Sequence, residues 1–325
     1  MAFSAAQLLD KVNNYLSTMP YMREPRGLYT PIEYVLSLGG KRIRPLLMLL
    51  AYNIYKEDVD FLLSQAAGIE TYHNYTLLHD DLMDKADMRR NKPTVHKVWN
   101  DNTAILSGDA MLVLAYRLIE NCPEKYLKQV TEIFTQTALE ICEGQQWDVE
   151  FETRNDVTVD EYIEMIRLKT SVLLAAALKI GAVMGDATPE DTQKLYDFGI
   201  KMGLAFQLQD DFLDVYGDPE VFGKNIGGDI LCNKKTFMLI TALSLADSCQ
   251  KAALEEWISR TDFCPQEKIK AVTALYDQIG IGRICEEKIN KYYAEGLSLL
   301  ESIAVPVEAK AELKTFVCHL INRKA

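Results

Sequence analysis

The chain has 325 residues, 48% of them apolar, with only 17 glycines and 10 prolines. This composition favours long helices over a turn-rich β fold and supplies a large core. A formal net charge of -12 and a pI near 5.0 exclude a broad basic surface and, with it, nonspecific nucleic-acid binding.

No stretch reads as a linker or low-complexity spacer, so one domain over residues 1–325 is expected. The N-terminal segment lacks the basic and apolar regions of a secretory signal and reads as the opening of an amphipathic helix, so no export is expected. The apolar run from Val172 to Met184, interrupted by Lys179, is too short for a membrane span and reads as a buried core helix. Seven scattered cysteines without Cys-x-x-Cys spacing suggest neither a disulfide framework nor a zinc site, and a reducing cytoplasm fits them best.

Helical periodicity dominates in chain order. Phe61, Leu62, Ile69, Tyr72 and Thr76 mark one face, and Val159, Tyr162, Ile163 and Ile166 mark another. Breaks at Met19-Pro20, Gly39-Gly40, Asn91 to Pro93, Cys122-Pro123, Gly185 to Pro189, Tyr216 to Gly228 and Thr261 to Pro265 leave about ten helices and an all-α bundle. The Tyr216–Gly228 break carries four glycines and reads either as a mobile lid or as a plain helix connection.

Two acidic clusters of one design stand out. Leu78-His79-Asp80-Asp81-Leu82-Met83-Asp84 and Leu208-Gln209-Asp210-Asp211-Phe212-Leu213-Asp214 each carry Asp-Asp-x-x-Asp after an apolar helical run. Asp80 and Asp84, like Asp210 and Asp214, then fall roughly 40° apart on one helical face, suited to a hard cation. One such cluster reads as a solvated acidic helix end. Two on apolar helices need compensation, because a buried group of three carboxylates is too costly alone. Magnesium, which takes a few carboxylates, phosphate oxygens and waters, implies a phosphorylated ligand that completes the site.

Cations suited to phosphate lie nearby in sequence: Lys41 and Arg44, Arg89 and Arg90, and Lys169 followed by Thr170. Arg44 precedes Pro45, which predicts an extended Arg44, a helix starting at Pro45, and Lys41 and Arg44 at an anion-favouring helix N-terminus. His73 reads equally as a core histidine or a diphosphate contact. No nucleophile elbow or nucleotide-binding glycine fingerprint is present, which disfavours hydrolase and dehydrogenase chemistry.

Together these residues resemble the trans-isoprenyl diphosphate synthases of the polyprenyl synthetase family. The match runs from Gly39-Gly40-Lys41-Arg42-Ile43-Arg44-Pro45 through both clusters, Arg89-Arg90, Lys169-Thr170 and Gln207, to Phe222-Gly223-Lys224-Asn225-Ile226-Gly227-Gly228-Asp229 and Lys234. The resemblance implies an all-α fold around a central cavity, with the two aspartate-rich helices facing across it, and a homodimer. It implies magnesium, three ions per site with substrate bound, held by Asp80, Asp84 and Asp210. Asp81 and Asp214 would support the ions, and Asp211 would count with the catalytic carboxylates.

By the same resemblance Arg89, Lys169, Thr170, Gln207, Lys224 and Lys234 would hold an allylic prenyl diphosphate, with Lys169 also counted as catalytic. Lys41, Arg44, His73 and Arg90 would hold isopentenyl diphosphate. The basic end, Arg323 and Lys324, reads as a closing element or a solvated tail. The implied reaction is head-to-tail condensation to an all-trans C15 or C20 prenyl diphosphate. Tyr75 and Tyr72, five and eight positions before Asp80, would limit product length together with Thr76, or simply pack in the core. A class I terpene cyclase and a catalytically silent subunit are the competing readings, and the second Asp-Asp-x-x-Asp argues against the cyclase.

Overall fold

The computed structural model describes residues 3–218 and 226–321. Its helices are α1 (Ala5–Thr18), α2 (Arg26–Ser37), α3 (Ile43–Asn53), α4 (Leu63–Met83), α5 (Val95–Val98), α6 (Asp101–Ile119), α7 (Glu124–Thr153) and α8 (Val159–Ile166). They continue as α9 (Val172–Met184), α10 (Pro189–Tyr216), α11 (Gly228–Leu231), α12 (Phe237–Leu245), α13 (Ser248–Ser259), α14 (Pro265–Ile279), α15 (Ile281–Glu301) and α16 (Val307–Ile321). A π-helical turn, Arg167–Ser171, joins α8 to α9. One antiparallel hairpin pairs β1 (Met88–Arg89) with β2 (Lys92–Pro93). The all-α expectation holds, and the described residues form more than the expected ten or so helices, short segments such as α5 and α11 among them.

Local signals explain the boundaries. Ser4 and Gln7 form a reciprocal capping box on α1, as do Thr158 and Glu161 on α8, satisfying backbone donors that no helical carbonyl reaches. Pro265 opens α14, where its missing N–H costs nothing. Two expectations are corrected. Helix α3 starts at Ile43, so Arg44 is helical and Pro45 sits within the first turn; a proline there needs no intrahelical donor, so it does not force the start. Phe61 is exposed and lies in a separate 3₁₀ turn, Val59–Leu62, so it is not on the buried face of α4.

The chain divides into two compact units: Met1–Gln136 with Ala176–Leu195 and Ala304–Leu313, and Thr137–Ala175 with Tyr196–Ile303 and Lys314–Ala325. In the first, α4 packs against α6 and α3, α2 against α6, and α1 against α3. Leu8, Ile32, Met48, Leu49 and Ile69 are fully buried there, each contributing about 2 kcal/mol of hydrophobic stabilisation. In the second, α12 packs against α15, α8 and α14, and α14 against α11, α13 and α15. The Val172–Met184 run forms α9 and is buried almost throughout, as expected. Among the described residues no helix is long and apolar enough to cross a membrane.

Candidate active site

Each aspartate cluster lies at the end of a long helix, and in each the second aspartate is the most buried of the three. The first cluster closes α4, where the Asp84 amide donates to the Asp80 carbonyl at 2.9 Å. Asp80 and Asp84 are thus stacked one turn apart, while Asp81 is turned about 100° away. Asp81 receives a fork from Arg89, with Nε at 2.8 and 2.9 Å from its two oxygens and Nη2 at 2.6 Å. Arg89 Nη2 also reaches Asp80 at 3.5 Å. Burial raises the Asp81 carboxyl above its ordinary range, and Arg89 pulls against that rise.

The hairpin after α4 delivers both arginines. Arg90 and Asn91, at φ 51° and 61°, form the tight turn between the strands; two successive left-handed residues match the strand twist. Arg89 is thereby paired with the first cluster, and Arg90 is sent to the Gly39-Gly40 loop, where its Nη1 donates to the Gly39 carbonyl. Gly40, at φ 137°, holds a conformation that strains any residue with a Cβ, and a Cβ there would lie 2.9 Å from Arg90 Nη2 and displace the guanidinium.

A cationic cradle follows in the same unit. Arg44 Nη1 lies 3.1 Å from His73 Nε2. A guanidinium can only donate, so Nε2 is the acceptor and the ring is neutral. Desolvation, then the guanidiniums of Arg44, Arg90, Arg89 and Arg42, hold His73 well below its ordinary pKa. Lys41, three positions before Arg44, is exposed. His73 therefore packs into the helix and belongs to the cation cluster at once, so its two readings are not exclusive.

Back along α4, aromatic rings form a ladder. His79 meets Tyr75 at 4.8 Å between centroids, Tyr75 meets Tyr72 at 5.4 Å, Tyr72 meets Phe134 of α7 at 5.1 Å, and Phe134 meets Tyr116 of α6 at 4.9 Å. Tyr75 is half-buried, whereas Tyr72 and Phe134 are 1% and 0% exposed. The Thr76 hydroxyl is folded back onto the His73 carbonyl at 2.9 Å.

The second unit holds the second cluster, in the last turns of α10. Asp211 is 4% exposed; one oxygen accepts from the Tyr162 hydroxyl and the other from Gln207 Nε2 at 3.1 Å. Gln207 Oε1 accepts from Thr170 at 3.3 Å. Burial, reinforced by Asp229, pushes the Asp211 carboxyl up to about 7 against the pull of Tyr162, Lys234 and Gln207. Asp214 accepts from the Asp229 amide at 2.9 Å and from the Gly227 amide through its carbonyl at 2.6 Å, fixing the start of α11.

Lys169 sits in the π-helical turn and donates to Asp148 at 2.6 Å. Gly144, one turn before Asp148 on α7, makes this possible: a Cβ there would collide with the Lys169 backbone nitrogen. A π turn widens the helix locally and re-aims its side chains, a feature common at functional sites. Partial desolvation works against the Lys234 ammonium, and Asp229, Asp148 and Asp211 outweigh it and hold its pKa above the ordinary value. Lys224, Arg323 and Lys324 lie outside the described residues.

Sequence reasoning missed the partners: Asp148, Tyr162, Asp229, and the buried Arg42–Glu70 pair. Asp229 and Arg42 carried a signal, their places inside the quoted Gly-Gly-Asp and Gly-Gly-Lys-Arg runs.

Among the described residues no three of His, Cys, Asp and Glu converge to hold a metal alone. Magnesium asks for less, one or two carboxylates with phosphate oxygens and water. Asp80 and Asp84 fit that need: an all-oxygen donor pair one helical turn apart, with Asp84 exposed and Asp81 occupied by Arg89.

A mostly helical protein with duplicated aspartate clusters and separate sets of cations is built to handle phosphorylated ligands. Known proteins agree. The polyprenyl synthetase family model matches residues 25–276. A short chain isoprenyl diphosphate synthase of Methanocaldococcus jannaschii is 40% identical over 84% of this chain and 83% of that protein. A crystal structure of a geranylgeranyl pyrophosphate synthase superposes with a TM-score of 0.94 at 43% identity, covering 99% of this chain and 100% of that one. The geranylgeranyl pyrophosphate synthase of Corynebacterium glutamicum, solved with isoprenyl diphosphate and magnesium, superposes at 0.85 with 26% identity over 98% of each chain. The chain belongs to the polyprenyl synthetase family.

Proposed function

We propose that this chain joins isopentenyl diphosphate head-to-tail to dimethylallyl, geranyl or farnesyl diphosphate, and releases an all-trans C15 to C20 prenyl diphosphate. The observation that carries the reading is that two aspartate clusters of one design end long helices, each with its second aspartate buried and held by the chain's own donors. Asp81 is held by Arg89, and Asp211 by Tyr162 and Gln207. Asp80, Asp84 and Asp210 are assigned to hold magnesium, as three ions with substrate bound, with Asp214 in support.

Magnesium, when bound, would neutralise diphosphate oxygens as negative charge builds on the leaving group. The chain's own cations act in the same sense. Arg89, Lys169, Lys224 and Lys234, with Thr170 and Gln207, would grip the allylic diphosphate, and Asp148 holds Lys169 ready before substrate arrives. The allylic C–O bond breaks with both electrons leaving on diphosphate. The isopentenyl double bond then attacks the allylic cation, and the departing diphosphate takes the proton lost as the new double bond forms. Lys41, Arg44, Arg90 and neutral His73 would orient isopentenyl diphosphate for that attack. Tyr75, backed by Tyr72 and Phe134, with Thr76 beside it, would set the floor for the growing tail.

A homodimer in a single cytoplasmic-type domain completes the proposal. Ile105, Leu106 and Val113 are 44%, 60% and 61% exposed on α6, a patch suited to a second copy. Seven free cysteines suit a reducing compartment. Magnesium-dependent condensation by the purified chain tests the activity, and light scattering tests the dimer.

A further inference from the structure

We infer that Arg42 and Glu70 are a positioning pair that shapes the isopentenyl diphosphate cradle without touching the ligand; this rests on the proposed function. Arg42 lies between two residues assigned to that substrate, Lys41 and Arg44, yet it is only 7% exposed and Glu70 only 2%. Arg42 Nη1 donates to Glu70 at 2.6 Å and Nη2 to the Leu36 carbonyl at 3.0 Å. The latter is one of the last carbonyls of α2, which lack helical donors. Asn74 adds a hydrogen bond to the same Glu70 oxygen at 3.1 Å.

The backbone shows what the pair does. Gly39, Gly40 and Arg42 all have positive φ, at 77°, 137° and 49°, and Arg42 is the one that carries a Cβ against that conformation. The guanidinium anchored to Glu70 is what holds it there. Three fasteners then fix the loop: Arg42 on Glu70, Arg44 on His73, and Arg90 on the Gly39 carbonyl. Glu70, His73 and Asn74 stand at i, i+3 and i+4 on one face of α4, so a single rigid helix sets the loop's register.

Two variants separate this role from folding alone. Glu70→Gln keeps the shape and removes the charge. Arg42→Gly accepts the left-handed conformation and removes the anchor, with added backbone freedom that Glu70→Gln does not introduce. Both should raise KM for isopentenyl diphosphate by about tenfold or more, while kcat and the allylic KM stay within about twofold. Backbone amides of residues 39–44 should exchange faster with solvent. An unchanged isopentenyl KM, or a parallel loss in kcat and both KM values, would overturn the inference. Should the wild type condense nothing, the functional reading falls, and affinity for inorganic diphosphate by calorimetry, with the same exchange measurement, still decides: weakening in both variants supports the pair, and wild-type values reject it. If Glu70→Gln does not fold, Arg42→Gly carries the same outcomes.

Discussion

Replacing Asp211 by asparagine should make the free protein more stable while damaging its function. The buried Asp211 carboxyl titrates at about 7, against an ordinary 3.8. Below pH 3.8 it is protonated in both folded and unfolded chains and adds no pH dependence. Between 3.8 and about 7 the folded state keeps a proton that the unfolded state has lost, so stability falls with rising pH by about 1.4 kcal/mol per unit. Above 7 the loss levels off at about 4 kcal/mol, a ceiling that relaxation and water entry reduce.

Asparagine is neutral throughout and can still accept from the Tyr162 hydroxyl. A flip of the Gln207 amide would let its oxygen accept from the new amide and its nitrogen donate to Thr170. In urea titrations of metal-free protein, Asp211→Asn should therefore exceed wild type by about 2–4 kcal/mol at pH 8, and the gap should narrow steadily toward pH 4. A variant less stable at pH 8, or a difference independent of pH, would refute the electrostatic reasoning. Loss of condensation in the same variant would mark the charge as one kept for function at the expense of stability.

Tyr75→Ala should shift products toward longer chains, and Tyr72→Ala on that background should shift them further, because Tyr72 is the next ring behind Tyr75; an unchanged distribution by mass spectrometry rejects the aromatic floor. Asp84→Ala should lower kcat by about 10²–10³-fold with little change in thermal midpoint, since Asp84 is exposed at the end of α4. Asp148→Ala should lower kcat/KM for the allylic substrate by about tenfold, because Lys169 then loses the partner that holds it; equal effects on both substrates would contradict that assignment. Val113→Glu should weaken any dimer, and light scattering that shows one unchanged species would remove α6 as its surface.

The sequence displayed the chemistry more clearly than its support. Asp80 and Asp84 announced themselves by helical spacing, and the apolar runs before each cluster marked α4 and α10 as largely buried helices. What spacing could not show was the different environment of the second aspartates. Tyr162 lies 49 positions from Asp211 and Asp148 lies 21 from Lys169, separations without local periodicity. Arg42 stood in the quoted Gly-Gly-Lys-Arg run without a role of its own, which a positive φ and a buried glutamate then supplied. The start of α3 was misjudged because proline restrains the residue before it only statistically, and a first-turn proline leaves no donor to miss.

The decisive measurement is to incubate the purified chain with Mg2+, isopentenyl diphosphate and dimethylallyl, geranyl or farnesyl diphosphate, then size the dephosphorylated products. Linear all-trans alcohols accumulating at C15 or C20, and abolished by chelation, are the expected result. No condensation with any starter, or a cyclic hydrocarbon formed from one prenyl diphosphate alone, would contradict the account.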